Sequence, residues 1–267
     1  MELINVEAQI KNSNSTFLKK LPGFIIKGLA RVSRQDEING ILTKFEDNVG
    51  IGFLPKVLEE LNIHIEVTGL ENLPESGKCF FVANHPFGIA DGLILTSIVA
   101  SKYGDFKAIG NEVFALIPQL KPLIAAVNVF GTNPKEYLQA LDKVYYSEMP
   151  ITHFPAGMVS RIRKWKVRDS VWQKSFVAKS VSCERDIVPF YFYGRNSILF
   201  YTVFLFRKTF RINVNLELAL LPHELFNKRN KTIRVKIGKP ISHQTFDKTK
   251  THHEWANYLQ DRIYGLK

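Results

Sequence analysis

At 267 residues, with 45% hydrophobic residues, 20 Phe and a formal net charge of +11, the chain has the length and apolar content to bury a substantial core, which excludes a disordered or acidic protein. Its two cysteines, Cys79 and Cys183, offer neither a disulfide framework nor a metal-ligand spacing and fit a reducing cytoplasm. No apolar run reaches the roughly 18 residues of a membrane-spanning helix, and MELINVEAQIK lacks the basic start and apolar core of a signal peptide.

The first 45 residues read as helical and polar segments, among which LPGFIIKGLARVSR (21–34) is amphipathic and suits either a membrane interface or ordinary burial. A helix is expected over 51–61 and a strand over 63–68. Residues 78–84 form an apolar run of strand length that Asn84, His85 and Pro86 interrupt, so the chain turns there. Beyond Gly88 the pattern becomes helical over 91–102, with Asp91 standing where an N-cap belongs. Strands follow over 106–109 and 125–130, a helix over 134–146, a short strand over 151–154 and a helix over 170–182. Further strands at 187–193 and 232–237 and a helix over 252–264 complete the pattern. Such alternation predicts an α/β fold, a mostly parallel sheet flanked by helices, here as one domain spanning 1–267 with a helical segment over 1–60. In sheets of that kind, sites lie at the carboxyl ends of strands.

Two strings fall at such ends. FVANHPFGIADG (81–92) places His85 at a strand-to-helix corner with the Asp91 carboxylate nearby. A histidine oriented by an aspartate is a general base near neutral pH, because the carboxylate fixes the tautomer and stabilises the imidazolium. FPAGMVSR (154–161) ends a second strand in Phe154, Pro155 and Gly157, then Ser160 and Arg161. Gly157 allows backbone N–H groups close to a ligand, and Arg161 has the chemistry to clamp a phosphate or carboxylate. Arg195 and Asn196 follow the apolar strand VPFYFY (188–193) and suit either a headgroup contact or a plain turn.

Together, NHPFGIADG, FPAGMVSR and VPFYFYGRNSILFY (188–201) resemble motifs of the lysophospholipid acyltransferase superfamily. The resemblance spans residues 63–240 and is nearest the bacterial hemolysin-like branch, which includes lyso-ornithine and lyso-glycine-lipid O-acyltransferases. It implies a glycerolipid-acyltransferase-like fold in which His85 deprotonates an acceptor hydroxyl, Asp91 holds His85, and the hydroxyl attacks a fatty acyl thioester. Asn84, Phe154, Pro155, Gly157, Ser160, Arg161, Arg195 and Asn196 become the expected substrate-binding residues. No cofactor or metal is implied beyond the donor thioester, carried by acyl carrier protein or coenzyme A. The sequence departs from the superfamily pattern in three places. Five residues, Pro86 to Ala90, separate His85 from Asp91 where four are usual; Ala156 replaces a glutamate; and VNVFGTN (127–133) lacks the second-motif arginine. The last two fit an acceptor without glycerol 3-phosphate, such as a lyso-aminolipid.

The segment RIRKWKVR (161–168) holds five cations, no acid and Trp165. It suits an anionic membrane, where each cation gains about 1 kcal/mol, an acidic acyl carrier protein, or a solvated loop without a partner. SILFYTVFLF (197–206), followed by Arg207 and Lys208, is too short to span a bilayer and suits either the membrane interface or burial. The expected enzyme is therefore cytoplasmic and peripheral on the cell membrane's inner face, acting on a lysolipid. The rival reading is a non-catalytic, membrane-attached lipid-binding protein of the same fold. No nucleic-acid module accompanies the positive charge. THHEWAN (251–257) carries Asn257 where a zinc helix needs histidine, so His252 and His253 read as exposed helix residues.

Overall fold

The structure, a computed structural model, describes residues 3–12, 19–20, 22–111, 114, 117–127, 135–163, 165–212 and 215–267. Its centre is β2 (Cys79–Ala83), buried at every position. A strand covered on both faces needs apolar side chains throughout rather than in alternation, and CFFVA supplies them.

β2 pairs in parallel with β5 (Ile151–His153) on one side and β8 (Asp186–Phe192) on the other. Beyond β5 lie β3 (Lys107–Asn111) and β4 (Ile124–Val127), both parallel. Beyond β8 lies β9 (Thr232–Ile237), antiparallel to it, with β1 (His64–Thr68) parallel to β9 at the edge. The order is therefore β1-β9-β8-β2-β5-β3-β4. Each expected strand forms, within a residue or two of its expected ends; of 125–130, residues 128–130 lie outside the described set.

Helices α1 (Val6–Asn12), α2 (Gly23–Val32), α3 (Gln35–Lys44) and α4 (Phe53–Glu60) precede the sheet. α5 (Ile89–Tyr103) follows β2, α6 (Lys135–Tyr146) follows β4, and α7 (Ser175–Ser182) precedes β8. α8 (Ile198–Thr209) and α9 (Leu221–Phe226) sit between β8 and β9, and α10 (His252–Tyr264) comes last. Ile41, Leu42, Phe53 and Leu54 share one buried cluster with Phe81, Ile94 and Phe190, so α3 and α4 are welded to one face of the sheet. Trp172, Phe176, Trp255 and Leu259 join Phe80 and Ile187 in a second cluster on the other face.

Three elements differ from expectation. Asp91 is not the N-cap of α5: the helix begins at Ile89 behind Gly88, and Asp91 lies in its first turn. The helix expected from 170 starts only at Ser175, because Ser170, Trp172 and Gln173 are drawn into side-chain and backbone bonds with Ala156, Asp169 and Pro155. The basic run at 161–168 is a hairpin of β6 (Arg161–Arg163) and β7 (Lys166–Arg168), whose tip residue Trp165 has φ 64.

Candidate active site

Three strand ends meet above β2, β5 and β8. Where β2 stops, the Asn84 side chain extends the ladder: its Nδ2 donates to the Phe192 carbonyl at 3.0 Å and its Oδ1 accepts from the Phe192 N–H at 2.7 Å. A carboxamide has the donor and acceptor of a peptide group, so Asn84 pairs with β8 while its own backbone turns away. It is buried and engaged, an anchor for His85 rather than a substrate contact.

The extra residue between His85 and Asp91 is absorbed at Gly88, which adopts φ 91. A Cβ at Gly88 would lie 2.8 Å from Leu221 Cδ2 and 3.0 Å from Val159 Cγ2, so both the backbone conformation and the close packing require glycine. That tight turn brings Asp91 back beneath the loop. Asp91 has no solvent exposure. Its Oδ2 accepts from the Phe87 N–H at 2.8 Å and its Oδ1 from the Gly92 N–H at 2.9 Å. His85 Nδ1 lies 3.1 Å from Asp91 Oδ1, although the ring is turned off the line of a formal hydrogen bond. Hydrogen bonds to catalytic histidines are often loose without substrate and tighten when it binds.

The His85 ring stacks on Phe154, with centroids 4.0 Å apart and planes at 24°. Phe154 thus holds the imidazole from its flat side while Asp91 approaches one edge. Nδ1 is buried, so the 16% side-chain exposure that His85 retains lies elsewhere on the ring. A hydrogen bond from Nδ1–H to Asp91 would leave Nε2, on the far edge, as the acceptor for a proton.

Asp169, which no sequence motif marks, also lies at the site. It is buried, and its Oδ1 accepts from the His85 N–H at 3.2 Å and from Ser160 Oγ, while its Oδ2 accepts from Trp172 Nε1 at 3.0 Å. Burial raises its pKa, and the bonds from Ser160 and Trp172 oppose that rise. The Ser160 N–H in turn donates to the His85 carbonyl at 2.7 Å. Both peptide groups of His85 are therefore clamped, one by Ser160 of FPAGMVSR and the other by Asp169. In sequence Asp169 stands just before the helix expected at 170–182, and its long-range partners leave no local signal.

The remaining expected residues divide. Phe154, Pro155 and Gly157 form a turn closed by the Gly157 N–H donating to the Phe154 carbonyl at 3.0 Å, with Gly157 exposed at φ 66. Pro155 is buried, and its carbonyl accepts from Gln173. Ser160 is buried, with its hydroxyl on Asp169. Arg161 corrects the sequence expectation of an anion clamp. Its guanidinium is buried on Glu217, with Nε at 3.2 Å and Nη2 at 3.1 Å from Oε1, and it lies over the rings of Phe200 and Phe204. Arg195 is exposed, and Asn196 is buried with Nδ2 reaching the Phe87 carbonyl at 3.4 Å and Oδ1 unpartnered. Lys228, unmarked in the basic stretch around it, lies 4.6 Å from the Phe87 ring centroid and donates to the Arg195 carbonyl at 3.1 Å. Burial lowers its pKa. VNVFGTN lies outside the described residues except for Val127.

An open α/β sheet carrying a histidine–carboxylate pair at the end of its central strand has the arrangement of an enzyme that uses a general base near neutral pH. The family described as Acyltransferase matches residues 9–267, and the chain belongs to it; it is an acyltransferase. It is 38% identical over 265 residues to a lyso-glycine lipid O-acyltransferase of Phocaeicola vulgatus, covering 99% of this chain and 95% of that protein. A Bacteroides thetaiotaomicron protein of the same description is 37% identical, covering 99% of this chain and 97% of its own length. The crystal structure of the 1-acyl-sn-glycerophosphate (LPA) acyltransferase PlsC from Thermotoga maritima is 16% identical, with a TM-score of 0.49 over 98% of this chain and 85% of that one. That likeness is loose.

Proposed function

We propose that this acyltransferase moves a fatty acyl chain from a thioester, on acyl carrier protein or coenzyme A, to the hydroxyl of a lyso-aminolipid of the glycine-lipid kind. The observation that carries the reading is His85 held between Phe154 and Asp91 at the end of β2. The hydroxyl gives its proton to His85 Nε2 as its oxygen bonds to the thioester carbonyl carbon. Collapse of the tetrahedral intermediate breaks the C–S bond, and the proton passes to the departing thiolate. A positioned base of this kind is typically worth about 10²- to 10⁴-fold in rate.

The acceptor class rests on three points. Both relatives bear the name lyso-glycine lipid O-acyltransferase; Ala156 stands where a glutamate is usual; and Arg161, the basic residue best placed in sequence to hold a phosphate, is engaged with Glu217. The substrate lies in membranes, so we place the enzyme on the cytoplasmic face of the cell membrane. Among the described residues no helix is long and apolar enough to cross a bilayer, which is compatible with peripheral attachment.

The test is to supply the purified protein with a radiolabelled fatty acyl group, carried as its thioester on acyl carrier protein or on coenzyme A, and, separately, lyso-glycine lipid, lyso-ornithine lipid and lysophosphatidic acid. Label is expected in a lyso-aminolipid. Label confined to lysophosphatidic acid overturns the acceptor, and no transfer from either donor favours a non-catalytic lipid-binding protein.

A further inference from the structure

We propose that the outer face of α8, together with the β6–β7 hairpin tip and α2, forms a docking face for an anionic lipid bilayer, set directly behind the His85 loop. This rests on the reading of the protein as a lipid acyltransferase at a membrane and names the surface that makes the contact.

The two sides of α8 differ in what they touch. Positions 200, 201 and 204 turn inward: Phe200 and Tyr201 are buried with Val159 and Leu220, and Phe204 lies against the Arg161 guanidinium. Positions 198, 199, 205 and 206 share the opposite stripe at helical spacing. There Ile198 is 80% and Phe206 53% exposed, with Leu199 and Leu205 exposed beside them. A soluble surface helix carries mostly polar residues on that stripe; this one carries four large apolar groups around Thr202 and ends in Arg207 and Lys208.

Two further segments join it. β6 packs against α8, and the hairpin raises Trp165, 98% exposed, between Arg163 and Lys166. α2 packs on the same 3₁₀ turn, Leu216–Leu220, that supports α8. It presents Phe24 at 76% exposure with Lys27 and Arg31. None of the three segments, 23–32, 161–168 and 198–209, contains a carboxylate. Apolar side chains ringed by cations match a bilayer with acidic headgroups: the rings and aliphatic groups enter the acyl boundary while the cations stay at headgroup level. Tryptophan favours that boundary because its ring is apolar and its N–H polar.

The same helix ties this face to the chemistry. Val159, which packs on Phe200 and Tyr201, also lies against Gly88 in the His85 loop. One layer of side chains therefore separates the proposed bilayer contact from the loop that carries the base.

The experiment uses the full chain with phosphatidylcholine vesicles containing or lacking phosphatidylglycerol, reading sedimentation and tryptophan emission. Of the three tryptophans, Trp172 and Trp255 are buried, so an emission change on binding reports Trp165. Binding to the phosphatidylglycerol vesicles with a blue shift is expected, the shift vanishing in Trp165→Phe. In Leu205→Ser/Phe206→Ser, vesicle partition is expected to fall about tenfold or more, while transfer to a short-chain, water-soluble acceptor stays within about twofold of wild type. Wild-type partition in the double variant, an unchanged emission on binding, or loss of carrier-protein binding in place of vesicle binding overturns the proposal. Vesicle binding through this face without acyl transfer to any acceptor refutes the functional reading alone; transfer with an indifferent double variant refutes the docking face alone.

Discussion

Asp169 accepts from the His85 N–H, Ser160 Oγ and Trp172 Nε1 beneath the loop that carries the base, so its contribution is to hold His85 in place rather than to move a proton. Asp169→Asn keeps an oxygen for two of these donors but turns an amide N–H₂ toward another. A buried donor left unmatched costs about 1–3 kcal/mol. We expect kcat to fall by about tenfold with KM little changed, and the protein to remain folded. A kcat equal to wild type at unchanged stability would contradict the positioning role. A second residue-scale prediction concerns His153, at the end of β5, which burial holds down at about 4 with Nδ1 unpartnered. Between that value and 6.5 the unfolded chain binds more protons than the folded one, so stability rises with pH across the window and is lost as pH falls through it. The loss amounts to up to about 3 kcal/mol. His153→Phe is expected to flatten denaturant-derived stability between pH 6.5 and 4 relative to wild type; an unaltered slope would show that His153 does not titrate this way.

Among the elements, α8 and the β6–β7 hairpin are joined by one carboxylate. Glu217 has no exposure and takes hydrogen bonds from both Arg161 and Arg207. Glu217→Ala leaves two guanidinium groups facing each other, and breaking a buried ion pair costs about 3–5 kcal/mol. A large fall in the denaturation midpoint is therefore expected, and a loss below about 1 kcal/mol would mean that the arginines find solvent easily. None of this was legible in the sequence, because Arg161 and Glu217 lie 56 residues apart. The hairpin itself escaped because each strand has three residues and only Ile162 and Val167 are apolar, too few for a periodic signal. By contrast β2 and β8, long apolar runs ended by His85 and Gly194, were read directly, since a strand buried on both faces leaves a continuous apolar stretch. α5 starts two residues before the expected 91 because Asp91, which has the chemistry of a cap, is held by the Phe87 and Gly92 N–H groups from inside the first turn.

At the scale of the whole molecule, the sheet order puts β5, β2 and β8 side by side, which is why three motifs separated by scores of residues converge. The alternation of strands and helices announced the mostly parallel sheet; the antiparallel β8–β9 pairing and the order of strands depend on contacts that no local pattern encodes. Likewise the +11 charge is plain in the sequence, but the packing of β6 on α8, and of α2 and α8 on one 3₁₀ turn, is not. The central claim is that His85, held by Asp91 and Phe154, is the base for acyl transfer. The most direct measurement is single-turnover transfer from a radiolabelled acyl thioester by wild type and His85→Ala, with circular dichroism and thermal unfolding confirming that both are folded. The account predicts a loss of about 10²- to 10⁴-fold in the variant; a folded His85→Ala protein that transfers at nearly the wild-type rate would contradict it.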